Sequence, residues 1–299
     1  MTYALAYVIF FCIFAYFLCA HMTKLSIITI NRNNVVGLRK TMESVFSQIY
    51  RDFEYIVVDG ASDDGSVEVV KEFEQKMNPS LQGGDGVGFF TWISEPDTGI
   101  YNAMNKGIKK AAGVYCLFLN SGDFLITPDV LERVFAQQID ADIINARCNV
   151  SDNGKVTWTS PYLPQVSLKD LYFVGLPHQS TFIRRSLFEK YGLYREDFRY
   201  NSDIDFWYKS IILGDATTQG VDVVTTDYNL DGQSSKDALT DVYKKEMKEI
   251  LSQGFLPKVL LDYDLLREQQ HILNKYIWIE KHPMLQRVLA LIRKTYKRI

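Results

Sequence analysis

Between Lys24 and Asp123 the chain alternates between short apolar runs and stretches of helical periodicity, and each apolar run breaks into polar turn residues. Lys24 to Ile30 is a β-branched run that stops at Asn31-Arg32-Asn33-Asn34. Val35, Leu38, Met42, Val45, Phe46 and Ile49 then recur at the spacing of one helix face. Phe53 to Val58 is the second run, closed by Asp59-Gly60-Ala61-Ser62-Asp63-Asp64-Gly65-Ser66 and followed by a helical stretch from Val67 to about Met77. Phe89 to Ser94 is the third, ended by Glu95-Pro96-Asp97-Thr98-Gly99, after which Ile100, Met104, Ile108 and Ala111 mark another helix face. Tyr115 to Leu119 is the fourth, and it ends abruptly in Asn120-Ser121-Gly122-Asp123. Short apolar runs bounded by turn residues read as strands buried on both faces. A β-α-β-α-β-α-β order predicts an α/β fold: a mostly parallel sheet, helices on both faces and right-handed crossovers. The polar strand ends then share one rim, which receives Asn31, Asp59, Asp97, Asn120 and Asp123. Open α/β sheets bind ligands outside the carboxyl ends of their strands.

Beyond this half, a helix is expected from Thr127 to about Gln138 and a strand from Ala141 to Ala146. Val150 to Trp158, with Asn153-Gly154 at its centre, reads as a hairpin. Ser180 to Ile183 and Val221 to Asn229 read as strands, and Tyr200 to Trp207 opens a helix with Asp203 and Asp205 in its first turn. From Ala238 onward the chain reads as helical.

The formal net charge is −3, which gives no ground for bulk nucleic-acid binding. The 4 cysteines form no C-x-x-C pair, which excludes a disulfide framework or a zinc site and suits a reducing compartment. There is no G-x-S-x-G elbow, no P-loop and no G-x-G-x-x-G after the first strand. Tyr3 to Ala20 carries no charge and is close to the roughly 18 apolar residues at which a membrane span becomes a candidate. Two readings stand: residues 1–21 anchor the chain, with Lys24 and Arg32 keeping the following domain on the cytoplasmic side, or translation starts at Met22. At the other end, Lys281 to Ile299 is basic and acid-free, with Leu285, Val288, Leu289 and Ile292 forming an apolar face. Such a segment suits an anionic membrane surface or a solvated terminal helix.

An acid on a rigid strand end can hold a divalent cation, and the cation a diphosphate; Asp123 is the candidate. Taken alone, a cap for the helix near Pro128 accounts for it as simply. Asp59 and the Asp63-Asp64-Gly65-Ser66 turn suit a nucleoside, or are a plain Asx-rich turn. Asp97 can orient a sugar or ribose hydroxyl, or simply start a helix. Lys106 reads as solvated. Asp203 can take a proton from a sugar hydroxyl as it attacks. Phe206-Trp207 either stacks on a sugar or fills the core, and His178 reads as structural unless it meets phosphate or acceptor.

Five stretches in one order carry a more specific signal: Leu25-Ser-Ile-Ile-Thr-Ile-Asn-Arg-Asn, Val57-Val-Asp-Gly-Ala-Ser-Asp-Asp-Gly-Ser, Ser94-Glu-Pro-Asp-Thr-Gly-Ile-Tyr-Asn-Ala-Met-Asn-Lys-Gly, Phe118-Leu-Asn-Ser-Gly-Asp and Asn201-Ser-Asp-Ile-Asp-Phe-Trp. Together they resemble the inverting family 2 glycosyltransferases of GT-A fold, from about Lys24 to about Ser235. The resemblance implies a nucleotide-diphospho-sugar donor, with uridine the expected base, and Mn²⁺ or Mg²⁺ at Asp123, the acid of a D-x-D-type motif. It implies that Thr29, Asn31, Asp59, Asp97 and Asn120 line the donor pocket and that Asp203, the second residue of an E-D-type pair, is the catalytic base. Three departures mark the chain: Asn120 opens the D-x-D region, Gly60 replaces a second acid after the second strand, and Ser202 precedes Asp203. Similar spellings belong to bacterial capsule, exopolysaccharide and O-antigen enzymes. The implied acceptor is a glycan or lipid-linked glycan, and the implied place the inner face of the cell membrane. Three parts are expected: the apolar segment 1–21, a catalytic domain over 22–235 and a helical extension over 236–299. The competing class is a non-catalytic nucleotide-sugar-binding subunit of a membrane complex. A dinucleotide dehydrogenase is opposed by the missing glycine fingerprint.

Overall fold

A computed structural model describes residues 23–77, 90–152, 154–229, 241–280, 282 and 285–286. The apolar segment 1–21, the glycine-rich stretch Gln82 to Gly88 whose composition reads as a loop, the domain boundary expected at 235 and the basic run from Arg287 lie outside the described residues. No described helix is long and apolar enough to cross a membrane. The chain divides into two compact units, one ending at Lys248 and the other starting at Glu249.

In the first unit, strands β1 (Leu25–Asn31), β2 (Phe53–Asp59), β3 (Phe90–Ser94) and β4 (Tyr115–Phe118) alternate with helices α1 (Val35–Phe46), α2 (Ser66–Met77) and α3 (Ile100–Lys110). These four strands lie in the order β3-β2-β1-β4, all parallel. Every residue of β1, β2 and β4 is buried, which is why they read as largely apolar runs without polar alternation. Leu38, Met42 and Val45 put one face of α1 into the core, and Asn34 caps that helix by accepting from Gly37 N–H.

The order reverses at β1. The chain runs outward through β2 and β3, then returns to place β4 on the other side of β1. Crossovers to either side of that point leave a crevice outside the carboxyl ends of β1 and β4.

The second half of the sheet is mixed. It contains β5 (Phe124–Leu125), β6 (Ile143–Asp152), β7 (Lys155–Thr159), β8 (Thr181–Arg184) and β9 (Thr218–Asn229). β8 is antiparallel to both β4 and β6, while β9 is parallel to β6 and antiparallel to β5. β6 and β7 form the expected hairpin. Short helices α4 (Val130–Phe135), α5 (Leu168–Phe173), α6 (Ser186–Tyr191) and α7 (Ser202–Trp207) fill the connections. Phe206 stacks on Phe188 at 4.7 Å between ring centres and Trp207 is fully buried, so both aromatics after Asp203 belong to the core. α8 (Asp241–Gly254) follows the described part of the sheet. In the second unit, α9 (Pro257–Glu280) exposes Leu261, Leu265, Leu266 and Ile272.

Candidate active site

The crevice is built from three strand-end loops that hydrogen-bond to one another. Asp59, fully buried, is their hub. It accepts from Asn31 Nδ2 at 2.8 Å, from Ser94 Oγ at 2.7 Å, and from both the N–H and the hydroxyl of Ser62 at 2.9 and 2.5 Å. Burial pushes its carboxyl up, but these donors outweigh it and hold Asp59 below the usual value. Gly60 follows, and a Cβ there would stand 2.3 Å from Asp97 Oδ2, so a larger residue would require the Asp97 carboxylate to move aside. Asp97 is thus brought against the position where a second acid was missed. It also faces Arg32 at 3.8 Å, on a side chain that is mostly exposed.

The loop after β4 is held from beneath by α1. Thr41 Oγ1 donates to Asp123 O at 2.7 Å and accepts from Gly122 N at 2.9 Å, while Asn34 Nδ2 donates to Ser121 O at 2.8 Å. Gly122 sits at φ 111°, a conformation that favours glycine. Asp123 is buried, and desolvation pushes its carboxyl up to about 7, with His178 opposing and Asp227 adding to the rise. Asp227, on β9, accepts from Ser151 through Oδ2 and leaves Oδ1 buried without a partner among the described residues. Asn120 Oδ1 is likewise buried and unpartnered.

Asp203 enters from α7. Its Oδ2 lies 3.2 Å from His178 Nδ1, and its Oδ1 accepts from Tyr101 O–H and from Ile204 N–H, each at 3.0 Å. The other ring nitrogen of His178 lies 3.2 Å from Asn120 Nδ2. Burial alone would depress the imidazole; the Asp203 and Asp123 carboxylates overcome it and raise His178 above its ordinary value. The backbone leading into α7 is gripped by Glu246 of α8, which accepts from the N–H groups of Arg199 at 2.7 Å and of Tyr200 and Asn201 at 3.1 Å each.

The Glycosyl transferase family 2 pattern matches residues 26–197, more than half of the chain. The chain belongs to that family. An uncharacterised glycosyltransferase of Mycobacterium tuberculosis is 33% identical over 205 residues, covering 64% of this chain and 71% of the relative. A PGL/p-HBAD biosynthesis glycosyltransferase of Mycobacterium bovis is 27% identical over 226 residues, covering 74% and 83%. Among solved structures, S. aureus TarS 1-349 in complex with UDP-GlcNAc superposes with a TM-score of 0.61 at 18% identity, over 79% of this chain and 68% of that one. The mannosyltransferase PcManGT from Pyrobaculum calidifontis, in complex with GDP-Man and Mn²⁺, gives 0.55 at 16% identity, over 75% and 64%. These likenesses show the fold, which is GT-A. Against the longer TarS chain the match spans 39% of that chain.

In this glycosyltransferase the residues expected at the site fall into two groups. Asn31, Asp97, Asn120, Asp123 and Asp203 stand at the rim. Two expectations are corrected in kind. Thr29 is fully buried within β1 and accepts from Tyr55 O–H at 3.0 Å, so its hydroxyl serves the packing of two strands. Asp59 has no exposed surface and all its acceptor sites are filled, so it shapes the crevice through Asn31, Ser62 and Ser94. Lys106 is tied to Glu95 and to Pro96 O, each at 2.8 Å, rather than free in solvent. Sequence reasoning missed Tyr101, Asp227 and Glu246 and left His178 without a role. Only long-range pairing brings them here.

The divalent cation implied by the resemblance is tested by the donors present. Among the described residues no group of three or more His, Cys, Asp or Glu side chains assembles around one point. A Mg²⁺-type ion does not need one, because one or two carboxylates with substrate phosphates and water suffice. A buried carboxyl that desolvation pushes up to about 7, with the Asp227 carboxylate adding to the rise, fits that role.

Proposed function

We propose that this glycosyltransferase moves a sugar from a nucleoside diphosphate donor, a UDP-sugar, to a hydroxyl of a glycan or lipid-linked glycan, inverting the anomeric configuration. One observation carries the reading: a single imidazole links Asp203 to Asn120, 3.2 Å on either side. The proton acceptor and the strand end that bears Asp123 therefore share one rim. Asn31 and Asp97 line the nucleoside side, above the buried hub of Asp59.

Each residue then has a chemical task. Asp203 takes the proton of the acceptor hydroxyl as its oxygen bonds to the anomeric carbon. The bond from that carbon to the diphosphate oxygen breaks, and its electron pair leaves with the nucleoside diphosphate. Attack from the face opposite the leaving group inverts the centre. A divalent cation bound by Asp123 and the donor's phosphates would supply positive charge against the leaving group. Asn120, with an unpartnered buried carbonyl oxygen, is placed to accept from a sugar hydroxyl or a bound water. Work at the inner face of the bacterial membrane, in surface polysaccharide or glycolipid synthesis, is supported by the apolar run at 3–20, the basic run from Arg287, and a relative assigned to PGL/p-HBAD biosynthesis.

The test is nucleoside diphosphate release from a panel of UDP- and GDP-sugars with Mn²⁺. Asp203→Asn is expected to abolish turnover while donor binding persists. Near-full turnover in that variant would remove Asp203 as the base. Donor binding without turnover in the wild type, whatever the acceptor, would instead make the chain a binding subunit.

A further inference from the structure

We propose that Tyr101 and His178 are positioning residues that select one oxygen of Asp203, Oδ2, as the working base. This inference rests on the reading in which Asp203 takes the acceptor's proton. A carboxylate oxygen offers about two lone-pair sites. Oδ1 fills both, with Tyr101 O–H and Ile204 N–H at 3.0 Å each. Among the described residues Oδ2 receives only His178 Nδ1, at 3.2 Å, and keeps one site for an incoming hydroxyl. The Asp203 side chain retains 14% exposure, so that site is not sealed.

The ring's protonation follows from its neighbours. An amide nitrogen carries only hydrogens, so Asn120 Nδ2 at 3.2 Å makes His178 Nε2 the acceptor. In the neutral ring the single hydrogen is then on Nδ1, and in the charged ring Nδ1 carries one as well, so in either form Nδ1 donates to Asp203 Oδ2. Asn120 thereby sets the tautomer, and His178 fixes the rotation of the carboxylate.

Tyr101 adds a directional device. Its hydroxyl has one hydrogen and two acceptors, Tyr200 O at 2.6 Å and Asp203 Oδ1 at 3.0 Å. When Asp203 is ionised, the negative oxygen draws that hydrogen. Once Oδ2 has gained the acceptor's proton, the charge is gone and the hydrogen can return to the closer carbonyl. Burial, reinforced by the Asp203 charge, raises the phenol well above its ordinary value, so Tyr101 stays a donor.

The experiment uses the full chain with Mn²⁺ and the UDP- or GDP-sugar that the wild type hydrolyses fastest, with water as the acceptor. Tyr101→Phe and His178→Ala are each expected to lower kcat by about 10- to 100-fold, a part of the roughly 100- to 10,000-fold that a positioned base contributes. The donor KM should stay within about two-fold, since uniform binding is untouched. His178→Asn puts an amide N–H where Nδ1 stands and should restore most of kcat. His178→Gln, whose amide reaches the place of Nε2, should not. A KM that rises while kcat holds, unchanged kcat in both Tyr101→Phe and His178→Ala, or rescue by Gln and not Asn would each overturn the assignment with the transferase reading intact. If His178→Ala does not fold, the Asn and Gln pair decides the matter. A wild type that binds donors in a thermal-shift assay yet hydrolyses none would bring down the transferase reading itself, and this inference with it.

Discussion

Replacing Asp123 by Asn is expected to stabilise the metal-free protein at neutral pH while removing what a metal adds. Desolvation moves the Asp123 carboxyl from 3.8 to about 7. Between those values the folded chain holds a proton that the unfolded chain has lost, so this group's contribution to stability falls as pH rises from about 4 to about 7. At ~1.4 kcal/mol per tenfold change, the ionised form above pH 7 carries a penalty of up to ~4 kcal/mol. Asn keeps the shape and sheds the charge, but its amide must also be buried, which leaves a gain of about 1–3 kcal/mol. At ~2–4 °C per kcal/mol for a domain of this size, Tm should rise by about 3–10 °C at pH 8 in EDTA. At pH 5, where the wild-type carboxyl is largely protonated, the gain should nearly vanish. Adding Mn²⁺ and UDP should raise the wild-type Tm and leave the variant unmoved. Differential scanning fluorimetry at both pH values, with and without Mn²⁺ and UDP, reads all of this. A variant that melts at or below the wild type at pH 8 in EDTA would refute the reasoning, as would an equal gain at pH 5.

Glu246→Gln turns one acceptor oxygen into an amide group facing backbone N–H groups, at a cost of about 2–3 kcal/mol. It should lower kcat more than donor affinity, and an unchanged kcat would show that the loop into α7 does not need that grip. Asp59→Asn loses acceptors at a fully buried hub and should cost about 2–4 kcal/mol at pH 7. Because Asp59 is held below its usual value, its contribution is present above about pH 4 and is lost as pH falls through its folded value. Urea midpoints from pH 3 to 7 should therefore show the variant's deficit shrinking toward acid. Thr29→Val keeps the β-branched shape and should cost about 1 kcal/mol while donor affinity holds. A large loss of donor affinity by titration calorimetry would restore Thr29 to the pocket.

The parallel half of the sheet was legible because strands buried on both faces leave unbroken apolar runs, as in Tyr55 to Val58 and Tyr115 to Leu119. The reversal at β1 and the antiparallel β8 beside β4 were not, since strand order depends on pairing between distant segments. Strand-end logic put Asn31, Asp97 and Asp123 on the rim where the fold carries them, and their binding roles rest with the proposal. It overreached at Thr29 and Asp59, because a polar side chain near a strand end can as easily turn inward to a partner. Phe206 and Trp207 went to the core, the ordinary fate of large aromatics. Tyr101 was hidden in a helix start, and nothing in the neighbourhood of His178 along the chain announces Asp203, 25 residues later.

The clasp formed by Glu246 bears on how this family can be cut and recombined. The recognised family region ends at residue 197, yet Asp203 lies past that border and the backbone before it is moored by an acid further along. A truncation at the border would discard Asp203, the proposed base. One at residue 235 would keep the base and set its tether adrift. Hybrids that trade C-terminal tails between relatives should stay active only when the incoming tail brings a matching carboxylate.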